Sequence, residues 1–416
     1  MHDLKSLELD DRFDAKTSPA IVSLARGSIA LMVDGRRIIN FYSGAGSLSS
    51  GHNNHQIREV ILEYLASDAV VNGFKMATSA KLKFLDTFRS VVLRDRCLQQ
   101  YHFEFPGPSD ANAIDAALEL SRKVTGRQNV VLFTRVRPGS IALGADGLRR
   151  PAADVSQRGL TLVPYDGCLG PGVSTTDYLR KLLLDQYSGV ARPAAILVET
   201  VQRKNGMNVA RKEWLRSIQA IAKETGAVLI LDDREMSCGR TGEFFSFEFA
   251  GLSPDLVLLS NSLTGCGLPF SMLLIKDDID HTSSVQHEGA ENNDIAFAAA
   301  SAAINIYWRD YILSEEVQGM GELVRRRLNA IASYSGNSSS VRGRGLAVGF
   351  DCQTSEIAEA TTRNAFAGGC LLSDARRLIR SYNSCRHSRS TARLSIRGLI
   401  YIRGSPWQSN QRGTSA

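Results

Sequence analysis

Two adjacent carboxylates follow an apolar run near the middle of the chain: Ala227-Val-Leu-Ile-Leu231 leads into Asp232-Asp233-Arg234-Glu235. The run has the composition of a strand buried on both faces, and Gly226 before it marks the end of a helix. A carboxylate at the end of a parallel strand lies where open α/β sheets bind ligands. Its chemical use there is to accept the N–H of a pyridine ring, keeping the ring protonated so that it can withdraw electrons from a carbanion. On spacing alone, the pair also fits a helix cap or a solvated turn.

Which of these applies depends on the elements that place Asp232. Four more short apolar runs recur between amphipathic stretches, at Asn129–Phe133, Ala194–Val198, Asp255–Leu259 and Ser271–Ile275. This alternation predicts a mostly parallel sheet with helices on its faces. Arg211–Thr225 sets Trp214, Ile218 and Ile221 on one side and stops at Gly226, while Asn112–Val124 sets Ile114, Ala117 and Leu118 on one side. Both read as surface helices covering the sheet. Upstream, Ile29–Val33 and Arg36–Phe41 flank Asp34-Gly35, a hairpin signal. After about residue 280 the pattern changes to an Ala-rich helix, Asp294–Trp308, and a second helical stretch around Glu315–Tyr334. The expected organisation is an N-terminal segment (1–50), a large α/β domain (51–285), a smaller C-terminal α/β domain (286–370) and a divergent tail (371–416).

The 416 residues are 43% hydrophobic, enough for such a core. No stretch approaches the roughly 20 apolar residues of a membrane span, and Met1–Lys16 lacks the basic start and apolar run of a leader. A cytoplasmic protein with no membrane partner is expected. Seven widely spaced cysteines form no C-x-x-C pair and no Cys/His cluster, so free thiols and no metal site are expected. The net charge of +6 is uneven: residues 371–416 hold nine Arg, no Lys and one acid, leaving −2 on residues 1–370. The tail has no sustained helical period beyond one candidate strand within Leu394–Ile402. It fits either a nucleic-acid or partner-binding arm or sequence without a selected role, and its aromatics, Tyr382, Tyr401 and Trp407, are few for a stacking platform.

The Asp232 run continues as Met236-Ser-Cys-Gly-Arg-Thr-Gly-Glu-Phe-Phe245, which resembles the matching segment of the class III pyridoxal-phosphate-dependent aminotransferases. Further segments resemble the diaminobutyrate–2-oxoglutarate (ectoine-pathway) branch of that family and occur in its order. They are Phe41-Tyr-Ser-Gly-Ala-Gly46 with Gly51-His-Asn53, Phe105-Pro-Gly-Pro108 leading to Asn112-Ala-Ile-Asp-Ala-Ala117, Glu199-Thr-Val-Gln202, Ser260-Asn-Ser-Leu-Thr-Gly-Cys-Gly-Leu-Pro-Phe270 and Arg342-Gly-Arg-Gly-Leu346. Together they span roughly residues 20–370. The resemblance implies fold type I of the pyridoxal-phosphate enzymes, a homodimer, amino-acid and keto-acid substrates, and Asp232 as the acceptor of the cofactor's ring nitrogen.

The same resemblance marks departures. Asn261 stands at the position of the lysine that holds the cofactor as an imine and moves the substrate proton, and an amide can do neither. Asp110-Ala111 replaces a Gly-Thr pair that meets the phosphate, putting a negative charge beside a dianion. Arg137-Pro138 replaces an aromatic-His pair that stacks on the ring, and Arg234 replaces a small apolar residue against the ring face. Glu235 stands for a glutamine, Arg203-Lys204-Asn205 for Gly-Glu-Gly, and Ala290 for a threonine that reaches the phosphate from the partner subunit. The expectation is a catalytically impaired aminotransferase-like protein that binds pyridoxal phosphate weakly and non-covalently, if at all. The alternatives are an active transaminase of L-2,4-diaminobutanoate or a similar omega-amino acid with 2-oxoglutarate, and a nucleic-acid-associated protein acting through its tail.

Overall fold

A computed structural model describes residues 21–73, 76–133, 159–170, 172–203, 206–279, 293–334, 340–352, 354–374 and 393–397. Three antiparallel strands come first, β1 (Val22–Arg26), β2 (Ile29–Met32) and β3 (Arg37–Asn40). The predicted Asp34-Gly35 turn joins the last two, with Gly35 at φ +84°, a conformation that favours glycine. Helices α1 (His55–Ala66) and α2 (Ser79–Thr87) start at Asn54 and Thr78, whose side chains accept backbone N–H bonds as N-caps. Next come β4 (Tyr101–Glu104), α3 (Asp110–Thr125), β5 (Val130–Phe133), β6 (Leu160–Val163), α4 (Thr175–Leu184) and β7 (Ala195–Val198). A two-strand ribbon, β8 (Val201–Gln202) and β9 (Asn208–Val209), precedes α5 (Lys212–Thr225), β10 (Val228–Asp232), β11 (Leu256–Ser260) and β12 (Ser271–Lys276). The remainder is α6 (Asp294–Tyr307), α7 (Ile312–Tyr334), β13 (Val341–Arg344), β14 (Ala347–Asp351), α8 (Ser355–Ala367), β15 (Cys370–Leu371), β16 (Ser373–Asp374) and β17 (Arg393–Arg397).

Seven strands form the central sheet in the order β4-β12-β11-β10-β7-β5-β6; all run parallel except β12. Strands β5, β7, β10 and β11 are buried along their whole length, so their sequences are continuous apolar runs rather than alternating ones. The period of two survives in what each residue touches. Val130, Leu132, Ala195, Leu197, Val228, Ile230, Leu256 and Leu258 pack with Ile114, Ala117 and Leu118 of α3. Their neighbours Val131, Phe133, Ile196, Val198, Leu229, Leu231, Val257 and Leu259 pack with Leu215, Ile218 and Ile221 of α5 and with Phe84 of α2. The sheet is therefore covered on both faces, and α5 ends as predicted, with Gly226 left-handed at φ +64°.

Two smaller sheets surround it. In the first, β15 extends the N-terminal hairpin by pairing parallel to β3. In the second, β14 pairs with β13 and β17, and β16 closes the edge. Strand β17 lies in the Arg/Ser-rich tail, overlaps the stretch Leu394–Ile402 where one strand was predicted, and pairs with β14 from Arg393 to Arg397. Among the described residues the six cysteines form no disulfide, and Cys385 lies outside the described residues. Among the described residues no helix is long and apolar enough to cross a membrane.

Helix α7 leans on the two-residue turn between β13 and β14. A Cβ on Gly321 would overlap the Gly345 carbonyl oxygen, a backbone atom that cannot swing aside. In an open helix Gly→Ala gains about 1 kcal/mol. Here the sign reverses, and Gly321→Ala is expected to destabilise the chain by roughly 1–3 kcal/mol, read as a lower thermal midpoint. An unchanged or higher midpoint would mean that α7 does not press on this turn.

Candidate functional site

Asp232 is the last residue of β10, a central strand, so its carboxylate emerges at the carboxyl edge of the sheet. Beside it β11 ends at Ser260, and Asn261 opens a one-turn 3-10 helix, Asn261–Thr264. The Ser260 hydroxyl lies 3.1 Å from the Arg234 carbonyl oxygen and 3.0 Å from Asn261 Oδ1. That bond geometry ties the turn after β10 to the turn after β11.

Arg234 folds back onto Asp232. Its Nε and Nη2 donate to Oδ1 and Oδ2 at 2.7 and 2.6 Å, a bidentate pair with side chains only 11% and 8% exposed. On its far side, Nη1 stands 3.5 Å from Asp110 Oδ2 and 3.4 Å from the Asp110 carbonyl oxygen. Burial alone would depress the guanidinium pKa; the Asp232 carboxylate, with help from Asp110, more than reverses this and raises it. Asp110 is the first residue of α3, directly after the N-cap Ser109, and Ala111 follows it. The phosphate loop expected at 110–111 is thus the first turn of a helix.

More charge lies around this triad. Asp233 is fully buried; its Oδ2 accepts the Ser246 N–H at 2.9 Å, while its Oδ1 has no hydrogen-bond partner. Burial pushes its carboxyl up to about 8. Glu235 is gripped by Arg203, whose Nη2 donates to Oε1 at 2.6 Å and whose Nε donates to Oε2. Arg240 is buried, donates to the Gly46 carbonyl at 2.6 Å, and has its pKa depressed by that burial.

Asp232, Arg234, Asp110, Ala111 and Asn261, singled out from sequence, therefore share one end of the sheet. Arg137, Pro138, Lys204, Asn205 and Ala290 lie outside the described residues. Lys276 sits at the other end: β12 runs antiparallel, so Lys276 pairs with Tyr101 at the start of β4 and meets Asp278 at 3.6 Å. Sequence reasoning missed that Arg234 pairs with Asp232 and that Asp233 is buried and neutral. The available signal was an Asp-x-Arg spacing inside the first turn after a fully buried strand. Among the described residues, no group of three or more His, Cys, Asp or Glu is placed to hold a metal ion.

A sheet of this order, covered by helices and carrying its polar cluster at the carboxyl edge, has the fold of the type I pyridoxal-phosphate enzymes. An aminotransferase of Bacillus anthracis superposes on it with a TM-score of 0.76, covering 95% of this chain and 92% of its own at 17% identity, a likeness of fold alone. The chain belongs to the class III aminotransferase family, whose model matches residues 13–384. It is 43% identical over 373 residues to the diaminobutyrate–2-oxoglutarate transaminase of Bordetella parapertussis, covering 88% of this chain and 86% of that one. An uncharacterized aminotransferase of Sinorhizobium fredii is also 43% identical, over 378 residues, with 89% and 84% covered.

Family membership implies pyridoxal phosphate as the cofactor. A site for that group needs an amine for the aldehyde, a free acceptor for the ring N–H, and donors facing the phosphate. The cluster around Asp232 does not fit it as it stands. Arg234 takes both oxygens of Asp232, the Asn261 amide is not a nucleophile, and the N-terminus of α3 carries the Asp110 carboxylate.

Proposed function

We propose that this chain is a class III aminotransferase of the diaminobutyrate–2-oxoglutarate type, impaired because Asn261 occupies the place of the imine-forming lysine. The observation that carries this reading is the position of Asn261, first after β11 and joined through Ser260 to the turn that follows Asp232. An amide there can hydrogen-bond but can neither attack an aldehyde nor move a proton. In this reading Asp232 is the ring-nitrogen acceptor, Asp110 and Ala111 face the phosphate, Arg234 lies at the ring face, and Arg137 and Pro138 belong to the stacking position. The cofactor would be held weakly and without a covalent bond. The chain is taken to work as a cytoplasmic homodimer, with residues 51–285 as its cofactor domain.

The test is reduction with borohydride after incubation with pyridoxal phosphate, followed by intact-mass and peptide analysis. The expected result is no adduct beyond slow, scattered labelling of surface lysines. A second reading is an active transaminase moving the terminal amine of L-2,4-diaminobutanoate to or from 2-oxoglutarate. The 43% identity to a transaminase of that name over 88% of the chain favours it. It requires an amine from outside the segment 260–270, and a stoichiometric adduct on one lysine, with turnover of that substrate pair, would establish it and end the impaired reading.

A further inference from the structure

We infer that Arg234 is a resident counter-ion that takes the place of a bound ring cation on Asp232 and closes the cofactor's position from within. This rests on the reading above, in which Asp232 is the ring-nitrogen acceptor. A pyridinium offers a carboxylate one N–H. The Arg234 guanidinium offers a planar two-donor fork, and both of its bonds to Asp232 are made at 2.6–2.7 Å. Its third nitrogen faces Asp110 at 3.5 Å, so every terminal nitrogen of the fork points at an acid.

The backbone of Arg234 is held as well, because the Ser260 hydroxyl lies 3.1 Å from its carbonyl oxygen. A ligand seeking Asp232 must therefore displace a buried cation and leave it only the half-exposed Asp110 as a partner. It must also bring a phosphate dianion towards a cluster of two acids and one base, which carries a net charge of −1. Displacing such a pair should weaken cofactor binding by roughly 100-fold or more. Replacing Asn261 by lysine supplies the missing amine but leaves this obstruction in place.

The test compares Asn261→Lys with the double variant Asn261→Lys/Arg234→Val as full chains titrated with pyridoxal phosphate. Uptake is followed by visible absorbance, by the borohydride-fixed mass on residue 261, and by the thermal midpoint. The double variant is expected to take up the cofactor roughly 100-fold more tightly than the single one. Equal uptake by the two, or none by a folded double variant, would overturn the role of Arg234 while leaving the Asn261 reading intact. An adduct on the unaltered chain would instead overturn the Asn261 reading. In case removal of Arg234 prevents folding, the unaltered chain provides its own readout. Its thermal midpoint is expected not to move with pyridoxal phosphate up to about 1 mM, since a ligand held so weakly that its Kd lies far above that concentration stabilises the native state negligibly. A rise of several degrees without an adduct would show that the ring position is open and that the inference is wrong.

Discussion

Asp232→Ala is expected to cost the chain about 3–5 kcal/mol of stability, because it strands a largely buried guanidinium. Arg234 would keep only Asp110, 3.5 Å away on a side chain that is 49% exposed, and a contact of that kind contributes at most about 1 kcal/mol. The double variant Asp232→Leu/Arg234→Met separates pairing from packing. Exchanging a buried ion pair for apolar side chains of similar size is often neutral, so the double variant should lie within about 1–2 kcal/mol of the parent. Urea unfolding of the parent, Asp232→Leu, Arg234→Met and the double closes the cycle; with each single variant costing about 3–5 kcal/mol, a coupling energy of about 4 kcal/mol or more is expected. If Asp232→Ala alone cost less than about 1 kcal/mol, Arg234 would have an easy route to solvent and the pair would not define the site.

The sheet was readable in the sequence because burial on both faces leaves an unbroken apolar run. Val130–Phe133, Ala195–Val198, Val228–Asp232, Leu256–Ser260 and Ser271–Lys276 fall within one residue of the five predicted runs. Strands β4 and β6 were not read. They are the two edges of the sheet, and Tyr101-His-Phe-Glu104 and Leu160-Thr-Leu-Val163 mix polar residues into runs of only four. Helix α3 begins at Asp110, two residues before the predicted start, because Ser109 and Asn112 form a capping box that an apolar-periodicity argument does not see.

The site was legible in residue identity but not in pairing. Asp232 could be located because it stands at the end of a strand that composition reveals, and Asn261 through the resemblance of Ser260–Phe270 to the family segment. The partner chosen by Arg234 was hinted at only by the Asp-x-Arg spacing, since a side chain two residues beyond a strand can turn into the cluster or out to solvent with the same sequence. Arg203 and Glu235 meet across 32 residues, and only the fold brings them together. The legible core and the illegible pairings have one physical explanation. The apolar runs are constrained by packing on both faces of the sheet, whereas charges at its edge can be exchanged as long as each finds a counter-charge.

Asp233 is the exception to that rule, and its titration should be visible in stability. Among the described residues no cation is bonded to its carboxyl; Ser246, through its side chain and its N–H, only partly offsets the burial that raises it from 3.8 to about 8, and Asp232 and Glu248 add repulsion. The folded chain therefore keeps this proton to about pH 8, while the unfolded chain releases it near pH 4. With more protons bound to the native state, stability falls as pH rises through that window, by at most about 1.4 kcal/mol per unit, and levels off above it. Asparagine at 233 can still accept the Ser246 N–H and, like the protonated carboxyl, leaves one polar atom without a partner, but it cannot ionise. Asp233→Asn is therefore expected to match the parent near pH 4 and to exceed it by on the order of a few kcal/mol at pH 8–9. Taking the difference between the two proteins cancels the titrating groups that do not interact with residue 233, so urea unfolding of both across pH 4–9 reports this carboxyl and its coupling to Asp232 and Glu248. A difference that stays constant across the range would mean that Asp233 ionises inside the fold as readily as outside it.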